Sequence, residues 1–158
     1  MTRFRVAPVS ADFKDWGVLH RLLNRAFADM AGRIDPPSSL TTMTVRSIMI
    51  KAETEKLVLA FDGKALAGCG FGRIDDRALY LSKLAVDPDY RRRGLLREIV
   101  AQMEILAKHD ALSALTLQTR VELIGNHAAF RALGFEKVGE TAHPGYDRPT
   151  SFTFRKEI

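Results

Sequence analysis

One stretch in the middle of the chain constrains the fold more than any other, because it joins two apolar strands through an amphipathic helix. Residues 78–86 are mostly apolar, and residues 95–109 repeat apolar side chains at intervals of three and four, which predicts a strand and then a helix. Residues 112–119 are typical of a second strand. Strands joined by such a crossover pair in parallel. The sequence therefore predicts an α/β chain.

The remaining strands are predicted to pair mainly antiparallel. Asp62-Gly63 is a strong hairpin turn, and Asp75-Asp76 marks a second turn, so three consecutive strands form a meander. The chain ends in a further hairpin. We expect a mixed, mostly antiparallel, twisted sheet of about seven strands flanked by about four helices. The predicted strands are 4–8, 56–61, 65–73, 78–86, 112–119, 136–141 and 150–155, and the predicted helices are 12–30, about 40–52, 95–109 and 126–133.

The length and composition indicate one globular domain. The chain has 158 residues, of which 46% are hydrophobic and 27% charged, and it shows no linker-like or repetitive segment, so residues 1–158 are read as one unit. The single cysteine, Cys69, lies in an apolar stretch and is predicted to be a buried structural thiol. No apolar run approaches the roughly 18 residues of a membrane span. We expect a soluble cytoplasmic protein without a membrane partner.

The strand at 78–86 has a change of parity. Leu79 and Leu81 fall on one face of a regular strand, whereas Leu84 and Val86 fall on the other. A β-bulge near Ser82-Lys83 would explain the change, because one extra residue reverses the face of every residue after it. The alternative is a central strand that is apolar on both faces.

The turn between this strand and the helix at 95–109 has the composition of an anion site. Arg91, Arg92 and Arg93 precede Gly94 at a helix N-terminus, where unpaired amides carry partial positive charge. No Gly-Lys-Ser/Thr follows, which excludes a P-loop, and the antiparallel meander excludes a dinucleotide fingerprint. A solvated arginine face and a nucleic-acid patch are the alternatives, but no aromatic stacking platform accompanies the arginines, so no nucleic-acid partner is expected.

The same stretch, residues 84–95, strongly resembles the acyl-CoA-binding motif of the GNAT superfamily of N-acetyltransferases, whose signature is Gln/Arg-x-x-Gly-x-Gly/Ala. Arg91 and Gly94 match its first two defined positions. Leu96 departs from the third, and its place on the apolar stripe of the helix predicts a core side chain. A second match covers 117–120 and 126–135, which resemble the late strand and the helix ending in Leu-Gly-Phe. The resemblance therefore extends over nearly the whole chain.

The resemblance implies acetyl-CoA as the cofactor and assigns the residues that hold it. The strand backbone at Leu84 and Val86 would pair with the pantetheine arm as an added strand does. The amides of the arginine-rich turn would hold the pyrophosphate, and Asn126 and Phe130 would form the opposite wall. The full predicted cofactor set is Leu84, Ala85, Val86, Arg91, Arg92, Arg93, Gly94, Leu95, Leu96, Asn126 and Phe130.

The catalytic residues are less evident. Many family members use a Tyr where this chain has Phe130, so the usual general acid is absent, and no Asp or Glu lies on the strand at 78–86 to act as the common base. His127, Tyr80 and Ser82 are the predicted replacements. An ordinary surface histidine and a core tyrosine are the alternatives for the first two.

The acceptor site is predicted between the first loop and the last hairpin loop. Arg33 with Arg148 would hold an acidic acceptor, whereas Asp35 with Asp147 would hold an amine. Turn and cap roles around Pro36-Pro37 are the alternative. The predicted acceptor residues are Arg33, Asp35, Ser38, His143, Tyr146 and Asp147.

The resulting hypothesis is acetyl transfer to a primary amine by direct attack in a ternary complex, because no Cys or Ser is persuasively placed as a covalent nucleophile. The acceptor is expected to be a small molecule or a peptide. A non-catalytic acyl-CoA-binding module is the alternative. A homodimer is compatible with the sequence, and no metal site is predicted.

Overall fold

The computed structural model describes residues 4–158, which form one twisted sheet with two helices on each face. The strands follow the order β1-β2-β3-β4-β5-β7-β6, and only β4 and β5 pair in parallel. This architecture confirms the predicted mixed α/β fold. The strands are β1 Phe4–Pro8, β2 Lys56–Asp62, β3 Ala65–Asp75, β4 Ala78–Val86, β5 Ala114–Arg120, β6 Glu136–Thr141 and β7 Ser151–Glu157. The helices are α1 Trp16–Ala26, α2 Val45–Thr54, α3 Leu95–His109 and α4 Ile124–Ala132.

Two apolar cores lie on opposite faces of the sheet. The first packs α3 and the end of α4 against the strands, and it includes the fully buried side chains of Ile99, Met103 and Phe154. The second packs α1 and α2 on the other face, around Leu19 and Ile48. Burying both faces explains why the central strands are apolar on both sides.

A β-bulge interrupts β4 where the parity change predicted it. Cys69 pairs with Ala85, but Phe71 pairs with Ser82, so β4 contains one residue more than the opposing stretch of β3. Lys83 occupies the bulge with φ of +51°, in the left-handed region. The predicted bulge is therefore confirmed.

The bulge keeps one face of β4 apolar along its whole length. Leu79 and Leu81 before it, and Leu84 and Val86 after it, all pack in the core under α3. The strand opposite leaves no room for a larger residue, because a Cβ on Gly70 would lie 2.7 Å from Leu84 Cδ2. The Leu84 side chain therefore packs over Gly70, where the packing requires a glycine.

The parallel strands β4 and β5 separate after only four residue pairs. Their pairing begins at Ala78 with Ala114 and ends at Leu81 with Leu117, although both strands continue beyond this point. A wedge opens between the two strands, and the bulge lies at its start.

Several helix boundaries differ from the prediction. The first helix ends at Ala26 and is followed by a short 3-10 helix, Ala28–Met30, instead of continuing to residue 30. Asp12 does not cap it; the Asp12 carboxylate accepts a hydrogen bond from Ser10, and the helix begins at Trp16.

The caps of the next helices also differ. Ser38 caps a separate 3-10 helix, Ser39–Thr42, by accepting from the Leu40 amide, whereas α2 begins after Thr44 in a capping box with Ser47. The fourth helix begins at Ile124, so Asn126 lies in its first turn instead of capping it. Across residues 4–158, none of these helices has the length and apolar character needed to cross a bilayer.

Candidate functional site

A groove of about 680 Å³ follows the wedge between β4 and β5. Its floor is the end of β4, one end is the turn that leads into α3, and its far wall is the first half of α4. The C-terminal end of α1 closes it from the other side. The lining residues that the sequence predicted for cofactor binding are Leu84, Ala85, Val86, Arg91, Arg92, Leu95, Leu96, Asn126 and Phe130.

The turn before α3 is shaped for an anion. Arg92 and Gly94 both have positive φ, +66° and +78°, and alternating left-handed residues form backbone nests that turn successive amides toward one point. Gly94 at the N-cap has no side chain with which to cap the helix, so it leaves the amides of the first turn available for a ligand. A Cβ on Gly94 would meet no atom within 4 Å, which shows that this face of the turn is open.

The three arginines of the turn have different environments. Arg91 donates to the Ala26 carbonyl at 2.8 Å and pairs with Asp29 at 3.2 Å, so its side chain fixes the turn to the end of α1. The Arg93 guanidinium lies 5.5 Å from the centre of the Tyr90 ring and is absent from the groove lining. Arg92 is exposed and lines the groove.

Leu96 packs against the core, as predicted, and it also forms part of the groove lining. Leu96 is half-buried and lines the groove, whereas the neighbouring Leu95 is only 2% exposed and belongs to the core. Leu95, which the predicted stripe omitted, takes the fully buried place in the first turn, while Ile99, Val100 and Met103 are buried as predicted.

A second cavity of about 470 Å³ adjoins the groove and shares the walls at Leu84, Asn126 and Phe130 with it. It lies between the wedge, the first loop and the end of the last hairpin. Of the predicted catalytic and acceptor residues, it is lined by Ser38, Tyr80, Ser82 and His143.

His127 lines neither space. It is 6% exposed, its ring centre lies 5.1 Å from that of Phe152, and its Nε2 lies 2.9 Å from the Arg120 carbonyl oxygen. The pattern of α4 alone placed this histidine at the surface, and β7 buries it. The structure shows a histidine that binds the end of β5.

Tyr80 and Ser82 lie on the cavity side of β4. Tyr80 is half-buried beneath the Arg73 guanidinium, 4.9 Å from its ring centre, and burial raises the pKa of its phenol. Because its pKa is raised, the Tyr80 phenol stays protonated near neutral pH and is able to donate. The hydroxyl oxygen of Ser82 is buried and has no hydrogen-bond partner within residues 4–158.

The residues predicted to bind the acceptor from the two loops bind one another. Asp35 accepts a hydrogen bond from the Tyr146 hydroxyl at 2.6 Å and pairs with Arg148 at 3.3 Å. This hydrogen bond is the main reason that the pKa of Tyr146 is raised. Asp147 is exposed, and Arg33 lines the groove instead of the second cavity. Each of the two predicted charge sets, Arg33 with Arg148 and Asp35 with Asp147, therefore has one member in the Asp35–Arg148 ion pair.

His143 lies at the cavity edge, in contact with Thr150. The Thr150 hydroxyl oxygen lies 3.4 Å from the Thr141 carbonyl, to which it donates, and accepts from the His143 amide at 2.9 Å. His143 Nδ1 also contacts this oxygen, so Nδ1 is assigned as the donor and Nε2 keeps its lone pair. Burial, with a smaller contribution from Arg120, lowers the pKa of His143.

Two cationic residues of the cavity were not predicted from the sequence. Lys83 Nζ donates to the Ser39 hydroxyl at 2.8 Å, and Arg120 donates to the carbonyls of Pro36 and Pro37. The only signal in the sequence was the place of Lys83 at the parity change. Nothing local in the sequence indicates that Arg120 reaches a loop 84 residues earlier.

Comparison with known proteins supports the resemblance in motifs. The family model described as Acetyltransferase (GNAT) family matches residues 16–135. A curated relative, N-acetylaspartate synthetase of Danio rerio, is 30% identical over 69 residues, which represent 44% of this chain and 24% of that protein. The matched segment thus spans about a quarter of the relative's length.

Solved structures share the fold at low identity. The ribosomal-protein-S18-alanine N-acetyltransferase of Escherichia coli is 19% identical with a TM-score of 0.73, over 98% of this chain and 94% of that one. The PaiA N-acetyltransferase of Thermoplasma acidophilum, in complex with coenzyme A, is 14% identical with a TM-score of 0.77 over 100% of both chains.

A family acetyltransferase of Elizabethkingia anophelis with acetyl-CoA bound is 16% identical with a TM-score of 0.72, also over 100% of both chains. Coenzyme A or its acetyl thioester is therefore the cofactor seen in these family structures, which confirms the predicted cofactor at the level of the family. Because the family model matches most of the chain, and the fold and groove agree with it, this chain belongs to the GNAT acetyltransferase family.

Proposed function

We propose that this protein binds acetyl-CoA in the groove and transfers the acetyl group to a primary amine in the second cavity. The observation that carries the proposal is the wedge: β4 runs from Ser82 to Val86 without a partner on the β5 side, and it leads to the turn before α3. An extended ligand with phosphates at one end fits this combination.

The groove residues fit such a ligand through backbone groups. Leu84 and Val86 would pair with the pantetheine arm, and the nest around Gly94 would bind the pyrophosphate with Arg92 beside it. Asn126 and Phe130 would form the opposite wall. When bound, acetyl-CoA supplies a thioester-activated acetyl group at the point where the groove meets the second cavity.

His143 is the proposed general base. An alkylamine is mostly protonated at neutral pH, so a group at the cavity must accept its proton. His143 lines this cavity, its Nε2 is an acceptor, and its lowered pKa keeps the ring neutral near pH 7. Tyr80 is the proposed proton donor to the departing thiolate, in place of the hydroxyl that Phe130 lacks.

The proposed reaction is direct attack in a ternary complex. Cys69 is fully buried, and burial raises the pKa of its thiol to about 12, so it is not a nucleophile. The Ser82 oxygen is inaccessible. His127 is proposed to position Arg120 by holding its carbonyl. The names of the N-acetylaspartate synthetase and the alanine N-acetyltransferase both describe acetylation at nitrogen, which supports an amine acceptor.

The test combines calorimetric titration of coenzyme A with measurement of thiol release from acetyl-CoA over a broad panel of amines. We expect saturable binding and amine-dependent thiol release, with the acetylated amine identified by mass spectrometry. Tight coenzyme A binding without turnover above hydrolysis would instead support a binding module.

A further inference from the structure

The second cavity is lined by two basic side chains that have no ion-pair partner among residues 4–158. Lys83 and Arg120 both line it. Neither takes part in any of the ion pairs that residues 4–158 form. Charged side chains removed from water are normally paired with an opposite charge. These two cations instead bond only a hydroxyl and two carbonyl oxygens.

The positive charge of Arg120 acts on Lys83. Burial lowers the pKa of Lys83, and Lys51 and Arg120 lower it further. Lys51 is already paired with Glu55 at 2.8 Å. The carboxylates of Glu55, near Lys83, and of Glu122 and Asp35, near Arg120, oppose the effect of burial but form no ion pair with either cation. An anion placed between Lys83 and Arg120 would relieve their repulsion.

Hydrogen-bond donors remain for such an anion. A lysine ammonium has three N–H donors, of which Lys83 uses one on Ser39, and a guanidinium has five, of which Arg120 uses two. Thr119 lines the same cavity, is 6% exposed, and its hydroxyl has no partner among the described residues. Buried hydroxyl groups normally have a hydrogen-bond partner.

We propose that the acceptor carries a carboxylate close to its amine, as a free amino acid does, and that Lys83 and Arg120 bind this carboxylate while His143 faces the amine. The inference rests on the proposed acetyl transfer. A cavity of about 470 Å³ suits a small molecule. The positive charge of Lys83 and Arg120 disfavours polyamines and lysine side chains, whose protonated nitrogens it repels.

The test compares free amino acids with their α-carboxamides as acceptors, together with spermidine. The amide has the more readily deprotonated amine, because it lacks the neighbouring negative charge, so chemistry alone favours it. We expect the carboxylate member of at least one pair to have the higher kcat/KM by about tenfold or more. Calorimetric titration of that amino acid into the protein saturated with coenzyme A gives a binding readout independent of turnover.

The variant Lys83→Met separates recognition from chemistry. It should raise KM for the amino acid by about tenfold or more and leave KM for its amide nearly unchanged, while Lys83→Arg should restore much of the preference. Lys64→Met is the control, because Lys64 is exposed in the β2–β3 turn. Circular dichroism and coenzyme A affinity establish that each variant is folded.

The outcomes distinguish the two proposals. Equal use of acids and amides, or better use of spermidine, would overturn the carboxylate inference and leave acetyl transfer intact. An equal loss of kcat on both members of a pair in Lys83→Met would also overturn it, because it would place Lys83 in the chemistry. Coenzyme A binding with no acceptor acetylated would contradict the proposed function itself.

Discussion

The groove and the second cavity differ in what they are made of. The groove is built chiefly from backbone: an unpaired strand edge, a turn with two left-handed residues and the uncapped start of α3. The cavity is built from side chains that the first loop, β4, β5 and the last hairpin bring together. A site made of backbone keeps its ligand shape when the side chains around it are substituted. A site made of side chains changes its ligand preference with each substitution.

The largest expected effect is at Gly94. Gly94→Glu should abolish measurable coenzyme A binding, because it places a side chain and a negative charge on the open face of the nest. Gly63→Glu is the matched control, since Gly63 also has positive φ, +60°, and open space around it. Calorimetry should show binding lost only in the first variant. Equal affinity in both would remove the turn from the cofactor site.

A substitution in the second cavity should lower the rate of the chemical step instead of the affinity for coenzyme A. His143→Ala should lower kcat by about a hundredfold or more, as expected for loss of a general base, with coenzyme A affinity unchanged. Because the pKa of His143 is lowered below its usual 6.5, wild-type kcat/KM should stay high at neutral pH and fall only as the pH drops below that value. The variant should lose this acid limb. If the acid limb of the pH profile persists in His143→Ala, another residue is the general base.

The boundary between the two regions should be sensitive to packing. Gly70→Ala should lower the free energy of unfolding by about 1–3 kcal/mol, because the added methyl group would overlap Leu84. It should also weaken coenzyme A binding by displacing the floor of the groove. Gly17→Ala in α1 has room for its methyl group and should be neutral or stabilising. Thermal unfolding and calorimetry compare the two.

The smallest effect is expected where the loops bind each other. Asp35→Asn weakens an exposed pair with Arg148, so it should change stability by less than about 1 kcal/mol. Its hydrogen bond with Tyr146 joins the first loop to the last. We therefore expect a modest rise in acceptor KM with unchanged coenzyme A affinity. A change in coenzyme A affinity without a change in acceptor KM would contradict the division between the two sites.

The same division explains what the sequence could predict. The turn before α3 was predictable because Arg91 to Gly94 are consecutive residues, and a glycine at the helix start indicates its left-handed backbone. The bulge was predictable because it changes the parity of Leu81 and Leu84. Arg120 was missed because its partners lie in a distant loop, and tertiary contacts of this kind leave no periodic signal.

Two further misplacements have the same origin. His127 was predicted at the surface from the pattern of α4 alone, but Phe152 on β7 covers it. Asp35 was assigned to the acceptor although Tyr146, 111 residues later, binds it. Local pattern thus located the groove, while the cavity depended on contacts between segments that the pattern does not connect.

The bulge in β4 has a consequence for how such a protein can diversify. Deleting the extra residue would turn Leu84 and Val86 away from the core under α3, so the length of this strand is fixed by packing. The side chain at position 83, however, belongs to neither core and opens into the cavity. Substitutions there by residues that tolerate a left-handed backbone alter the chemistry of the cavity without disturbing the sheet. A position held in place by the fold, but with a side chain that the fold does not need, is suited to the evolution of new acceptor preferences.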